Sequence, residues 1–318
     1  MTVSFYLHTP LPDNLNERRA LIQVTRLLYK QESASESPYT LIANIDTQKN
    51  ALQLPQLDAL LLGPKFAAIL EFKSYFDPII GQHLTGNWFA SNRKGRQQVR
   101  GGSYRNPFLQ AKNARQKWQD WLSLPLNVFV LFYPYLHPQS KLPVELDTNY
   151  WFSAQSHNKL KTLLISTVSP DFEQNASQQH HIATNILHSK KWNLKSLLTQ
   201  IAGYLHVLEP GQLLVRYPVY PLDSFTIGRS TRVNNRVRLH SPQISAIHAH
   251  LFMQDDELHI EDLSSKNGIY INNQRQDGYV KMHANQAILL GTNSPDAPRI
   301  WFTPFTPPNI TTKTLPTY

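Results

Sequence analysis

Three ionisable residues stand where they could do chemistry together. Asp58 opens the apolar run LDALLLG, and Glu71 and Lys73 close the run AAILEFK. Side chains two apart on a strand share a face, so Glu71 and Lys73 project together. If Pro64-Lys65 is a two-residue turn, Gly63 pairs with Phe66, and counting back along the ladder sets Asp58 opposite Glu71. Two carboxylates suit a hard cation, Mg²⁺ or Mn²⁺, beside a phosphodiester. The ion polarises the phosphoryl oxygen and acidifies a bound water, while the lysine orients that water and offsets developing charge. The reaction such a cluster supports is hydrolysis. A lone Glu-x-Lys on a strand is more often an exposed ion pair. Here Ile69, Leu70 and Phe72 flank it and mark a buried, central strand, where a charge without a task is costly.

A second constellation reads phosphate without cleaving it. Gly228-Arg229, Ser245 with His248 three residues on, and Asn267-Gly268 fall among short alternating strands. Arg offers a planar fork of donors, Ser and Asn add neutral ones, and glycine lets the backbone turn where these groups meet. Any one of them alone would read as a turn or surface residue.

The charge is uneven. The 318 residues carry a formal net charge of +9, and no Asp or Glu occurs from Pro78 to Gln119, a stretch that includes Arg93, Lys94, Arg96, Arg100 and Arg105. Such a run concentrates polyanions electrostatically, and is read here as a nucleic-acid contact, with a solvated loop as the alternative. There is no cysteine, which excludes disulfides and thiolate metal sites. Neither a bilayer-spanning apolar run nor a secretory signal is visible, so a cytoplasmic protein without a membrane partner is expected.

The elements that must position these groups follow from periodicity. Residues 13–30 read as an amphipathic helix capped at Asp13 or Asn14, with Leu21, Val24, Leu27 and Leu28 on one face. Three strands follow (TLIANI, LDALLL, AAILEF), then the basic segment, a helix from about Pro107 to Leu122, and the strand LNVFVLFY: an α/β core with its sheet between helices. Residues 148–153 and 162–168 read as further strands, 174–181 as a loop whose His180-His181 lacks carboxylate partners for a metal, and 193–206 as a closing helix. Glu209-Pro210-Gly211 is a breaker cluster and the expected boundary. The expected division is 1–208, 209–303 and a loose tail, 304–318, rich in threonine (Thr306, Thr311, Thr312, Thr314, Thr317).

Residues 205–303, through FTIGRS, ISAIHAH and DLSSKNGIYIN, resemble the forkhead-associated (FHA) domain. The resemblance implies an all-β sandwich that binds phosphothreonine proteins, with Arg229, Ser245, Lys266 and Asn267 facing the ligand and Gly228 and His248 holding the loops. It also implies a Ser/Thr kinase among the partners. Ala246 stands where this family commonly has arginine, which removes one donor. Residues 13–135 resemble the nuclease-related (NERD) domain of the PD-(D/E)xK superfamily, through Asp58, Glu71-x-Lys73, Gly81, and Asn106-Pro107 followed by Gln110. That implies a restriction-endonuclease-like α/β core in which Asp58 and Glu71 are metal ligands and Lys73 is the catalytic lysine. Gln110 would help to place substrate or water, and Glu17 would complete the metal shell. Two functions are then in competition. One is a metal-dependent nuclease, acting on DNA before RNA and recruited or regulated by phosphothreonine; the other is a non-catalytic adaptor that holds nucleic acid through an inactive nuclease fold. Retention of Asp58, Glu71 and Lys73 favours the first.

Overall fold

A computed structural model describes residues 4–12, 14–31, 39–47, 54–92, 95–167, 169, 172–192, 201–231 and 235–305. The first part is a seven-stranded sheet between helices. Its strands are β1 (Ser4–Leu7), β2 (Thr40–Ile45), β3 (Leu57–Gly63) and β4 (Phe66–Ser74), with helix α1 (Leu15–Gln31) between β1 and β2. A separate three-stranded sheet follows, β5 (Ile79–Gly81), β6 (Trp88–Asn92) and β7 (Gly95–Gln98). Then come α2 (Pro107–Leu122), β8 (Asn127–Tyr133), β9 (Phe152–Ser156), α3 (Leu160–Ser166), α4 (Ala176–His181) and β10 (Lys190–Lys191). The large sheet runs β10-β1-β2-β3-β4-β8-β9, with β3 antiparallel and β8 parallel to β4.

The β3–β4 hairpin has the expected register. Gly63 faces Phe66 across the Pro64-Lys65 turn, and the pairing continues to Ala59 opposite Leu70, one step short of Asp58 and Glu71. Alternation along β4 then divides the core. Ala68, Leu70 and Phe72 pack with Leu21, Val24 and Leu28 of α1, and Ala67 and Ile69 pack with Phe108, Ala111 and Trp118 of α2. Glu71 follows Ala67 and Ile69 in phase, so it points to the α2 side.

Several expectations are corrected. Of the strand expected at 162–168, residues 162–166 belong to helix α3, because Leu160 and Leu164, four apart, are the residues buried there, and residue 168 lies outside the described residues. The 174–181 stretch carries helix α4, opened by a capping box of Asn175 and Gln178. Around the basic segment, the described residues form β6 and β7, with Trp88 and Val99 fully buried, which disfavours the alternative of a solvated loop. Residues 193–200, the N-terminal part of the expected closing helix, lie outside the described residues, as do Asp13 and the tail from 306. Its remainder is strand β11 (Gly203–Leu208), in which burial alternates strictly.

β11 opens a sandwich with β12 (Val215–Val219), β13 (Ser224–Gly228), β14 (Val237–Arg238), β15 (Ala249–Gln254), β16 (Glu257–Asp262), β17 (Ile269–Ile271), β18 (Gln274–Gln276), β19 (Tyr279–Lys281), β20 (Ile288–Leu290) and β21 (Arg299–Pro304). One sheet runs β12-β11-β21-β20-β17-β18 and the other β14-β13-β15-β16-β19. Since β11 pairs with both β12 and β21, the second unit begins by Gly203, and Glu209-Pro210-Gly211 is a turn inside it. The boundary expected at 208/209 therefore moves upstream.

The two units are in direct contact. Arg19 of α1 donates to the Met253 carbonyl at 3.1 Å and lies over the Phe252 ring. Gln23 and Arg26 both donate to Asp223 Oδ1, at 3.1 and 2.6 Å. These three positions, four and three residues apart, form one stripe of the helix.

Candidate active site and phosphate-binding loops

At the end of β4, Asp58, Glu71, Lys73 and Gln110 come together. The Phe72 N–H donates to Asp58 Oδ2 at 2.6 Å, which fixes that carboxylate across the hairpin. Gln110, in the first turn of α2, donates to Glu71 Oε2 at 2.8 Å, and Lys73 Nζ lies 3.8 Å from the same oxygen. Asn106 sets the start of that helix. It accepts the Leu109 N–H at 2.9 Å and donates to the Leu84 and Gly86 carbonyls. Gly101 packs on Gln110 so closely that a Cβ there would sit 2.6 Å from the Gln110 Cβ. The basic strand thus reaches the site through a glycine that the sequence reading had not singled out.

The electrostatics are those of a site short of positive charge. Glu71 is 2% exposed, and burial, then the neighbouring Asp58 carboxylate, push it up to about 8. Burial raises Asp58, against Lys73 and the Phe72 N–H; burial and then Asp58 raise Glu17, against Lys73. Glu71 Oε1 is buried and has no hydrogen-bond partner among the described residues. An orphaned carboxylate oxygen of this kind is what a cation would satisfy, so the residues present fit a divalent ion. Among the described residues, no three His, Cys, Asp or Glu side chains are close enough together to hold an ion. A divalent ion there would find two protein carboxylates, Asp58 and Glu71, and would need water for the rest of its shell. Glu17 shares a pocket of about 250 Å³ with Lys73, Gln97 and Arg100 and acts on Asp58 and Glu71 through its charge.

Of the basic residues expected to meet nucleic acid, Arg100 lines this pocket, while Arg96 lies over the Phe89 ring and Arg105 is exposed nearby. Arg93 and Lys94 lie outside the described residues. Gly81 is a packing residue, backed by the Trp88 ring.

The loops at one end of the sandwich assemble around His248. Its Nδ1 accepts the Ser245 N–H at 3.1 Å and its Nε2 donates to the Gly268 carbonyl at 3.0 Å, which ties two loops together through a neutral ring. His248 is fully buried, and burial lowers its pKa, which keeps it in that form. Ser245 Oγ accepts the Lys266 N–H at 3.0 Å, and Asn267 donates to the Gln243 carbonyl at 2.8 Å. Arg229 is exposed; its Nε donates to the Ile244 carbonyl, and its N–H to the Ser245 carbonyl. A Cβ on Gly228 would sit 2.3 Å from the Ala246 carbonyl oxygen, so only glycine lets the two loops approach. Asn235, which the sequence did not flag, donates to the carbonyls of Ser230 and Ala246 and holds the same loops.

Residues 15–136 match the family model of the nuclease-related domain, and residues 225–291 that of the FHA domain. The chain therefore contains a NERD domain followed by an FHA domain. Among solved structures it is similar to the FHA domain of CT664 from Chlamydia trachomatis, at 23% identity over 33% of this chain and 99% of that one, with a TM-score of 0.30. It is also similar to FHA-1 of Rv1747 from Mycobacterium tuberculosis, at 27% identity over 33% and 99%, with a TM-score of 0.27. An FHA domain of an Arabidopsis thaliana protein matches at 22% identity over 34% and 90%, with a TM-score of 0.29. Comparison with curated proteins gives no match.

Proposed function

We propose that this NERD–FHA chain is a metal-dependent nuclease whose substrate encounter is set by a phosphothreonine-bearing partner. The observation that carries the reading is Glu71. A fold does not maintain a buried carboxylate with one oxygen unpartnered, beside a second carboxylate and a lysine, for stability. Asp58 and Glu71 would hold Mg²⁺ or Mn²⁺, which when bound polarises a phosphodiester and acidifies a water.

The chain's own groups do the rest. Gln110 fixes the Glu71 carboxylate so that its other oxygen stays available. Lys73, held within 3.8 Å of Glu71, orients an attacking water and offsets negative charge developing on phosphorus. Arg100, on the wall of the same pocket, places a substrate phosphate. In the sandwich, Arg229 and Ser245 take the phosphate of phosphothreonine, while His248 keeps Ser245 in position. A Ser/Thr kinase would then lie upstream.

Incubation of the purified protein with labelled DNA and RNA and Mg²⁺ or Mn²⁺ tests the catalytic half. Cleavage is expected for the wild type and absent for Glu71→Gln and Lys73→Ala. Binding of nucleic acid without cleavage under any of these conditions would instead support the adaptor reading.

A further inference from the structure

The phosphate-binding loops of the sandwich open into a cleft of about 1350 Å³ whose opposite wall belongs to the NERD domain. Arg229, Ser245 and Ala246 line one side, and the segments 76–78 and 137–139 line the other; Lys266 and Asn267 stand outside it. The floor is continuous across the domains. The Tyr135 hydroxyl donates to the Phe76 carbonyl at 3.3 Å, and the Phe76 ring lies 4.9 Å from that of His250 in the sandwich. His250 Nδ1 in turn faces Glu261, at 3.6 Å. Two carboxylates approach this floor from opposite domains. Asp77 and Glu261 both act on the buried Tyr135 hydroxyl and add to the upward shift that burial imposes on it. Glu261, with its side chain 33% exposed, and Asp77 both line the cleft.

We propose that the cleft is a composite recognition site for an extended phosphothreonine peptide of a partner protein, with a lysine or arginine of that peptide seated between Asp77 and Glu261. This rests on the phosphothreonine reading of the loops. The phosphate sits on Arg229 and Ser245 at the mouth, and the chain on one side of it runs between the domains. The NERD domain then takes part in choosing the ligand. The cleft is also lined by Asp262 and by Arg229 and Arg238, so the preference is local: a basic side chain between Asp77 and Glu261 meets one carboxylate from each domain, whereas an acidic one there meets two like charges. Ala246 offers no side-chain donor at its place on the sandwich wall, and the facing domain contributes Asp77 to the same cleft.

The test uses the full chain and fluorescence anisotropy. Its probes are phosphothreonine peptides in which a single lysine is moved through the positions on either side of the phosphothreonine, with alanine and unphosphorylated versions as references. At one offset or a few neighbouring ones, lysine is expected to strengthen binding about fivefold over alanine. Asp77→Asn and Glu261→Gln should each remove that gain while leaving the affinity for the alanine peptide unchanged, which also shows that the loops are still folded. Arg229→Ala should abolish phosphate-dependent binding of every peptide. Phosphate-dependent binding with no lysine gain at any offset, or a gain that survives both carboxylate variants, overturns the composite site and leaves the phosphothreonine reading standing. Absence of phosphate-dependent binding throughout overturns both.

Discussion

A carboxylate sealed from water with one oxygen unpartnered costs stability whenever it carries charge, and Glu71 is in that position. Its folded-state value of about 8 lies above the 4.5 of an ordinary glutamate. The stability this contributes is therefore fully present below about pH 4.5 and is lost as pH rises through 8. Glu71→Gln keeps the shape and removes the titration. In chelator, its melting temperature should exceed that of the wild type by about 3 °C or more at pH 8, with the gap closing towards pH 5. Adding Mg²⁺ should narrow it at pH 8 by stabilising the wild type alone. A gap independent of pH, measured by scanning calorimetry, would mean that Glu71 is already paired. Asp58, Glu71 and Lys73 were legible because strand period and turn length together fix which side chains meet. Asn235 and Gly101 were not, because each matters through one backbone approach that no local pattern encodes.

At the scale of elements, α1 faces three ways. It buries Leu21, Val24 and Leu28 under the sheet, presents Glu17 to the pocket shared with Lys73 and Arg100, and sends Arg19, Gln23 and Arg26 to the sandwich. The first face was readable from apolar periodicity, whereas the third consists of polar residues that look like any solvated stripe until a partner surface is known. The same limit explains the elements misread further on. Residues 162–168 are rich in β-branched types, yet the spacing of Leu160 and Leu164 decides for helix; the Asn175–Gln178 box was a readable start signal that composition obscured. Asp223 is almost wholly buried and holds an arginine from each unit, Arg26 and Arg236. Arg26→Ala should cost about 2–3 kcal/mol by leaving that carboxylate short of a partner. In denaturant it should also split a single unfolding transition into two, as the sandwich separates from the NERD domain. One unchanged transition at the wild-type midpoint would show that the contact holds nothing together.

For the whole molecule, the net charge of +9 matters most where it is concentrated. Arg96, Arg100 and Arg105 lie on or beside the small sheet that reaches the pocket of Glu17 and Lys73, so on the proposed reading long-range attraction would bring a polyanion to the carboxylate pair. Reversing all three to glutamate should weaken nucleic-acid binding and lower the slope of log K against log salt by about one per lost phosphate contact. Titrations at several salt concentrations giving an unchanged slope would make the segment a bystander. The two-domain plan was legible from motif order, but the docking of the domains was not, since it depends on matching surfaces. That docking has a mechanical consequence. Helix α1 is a rod ~25 Å long, with Glu17 in its first turn and its grip on the sandwich distributed along the following turns. A flexible tether would let the sandwich swing without disturbing the Glu17 end, whereas a rod clamped along its length acts as a lever, and a tilt of the sandwich on its partner moves Glu17 with it.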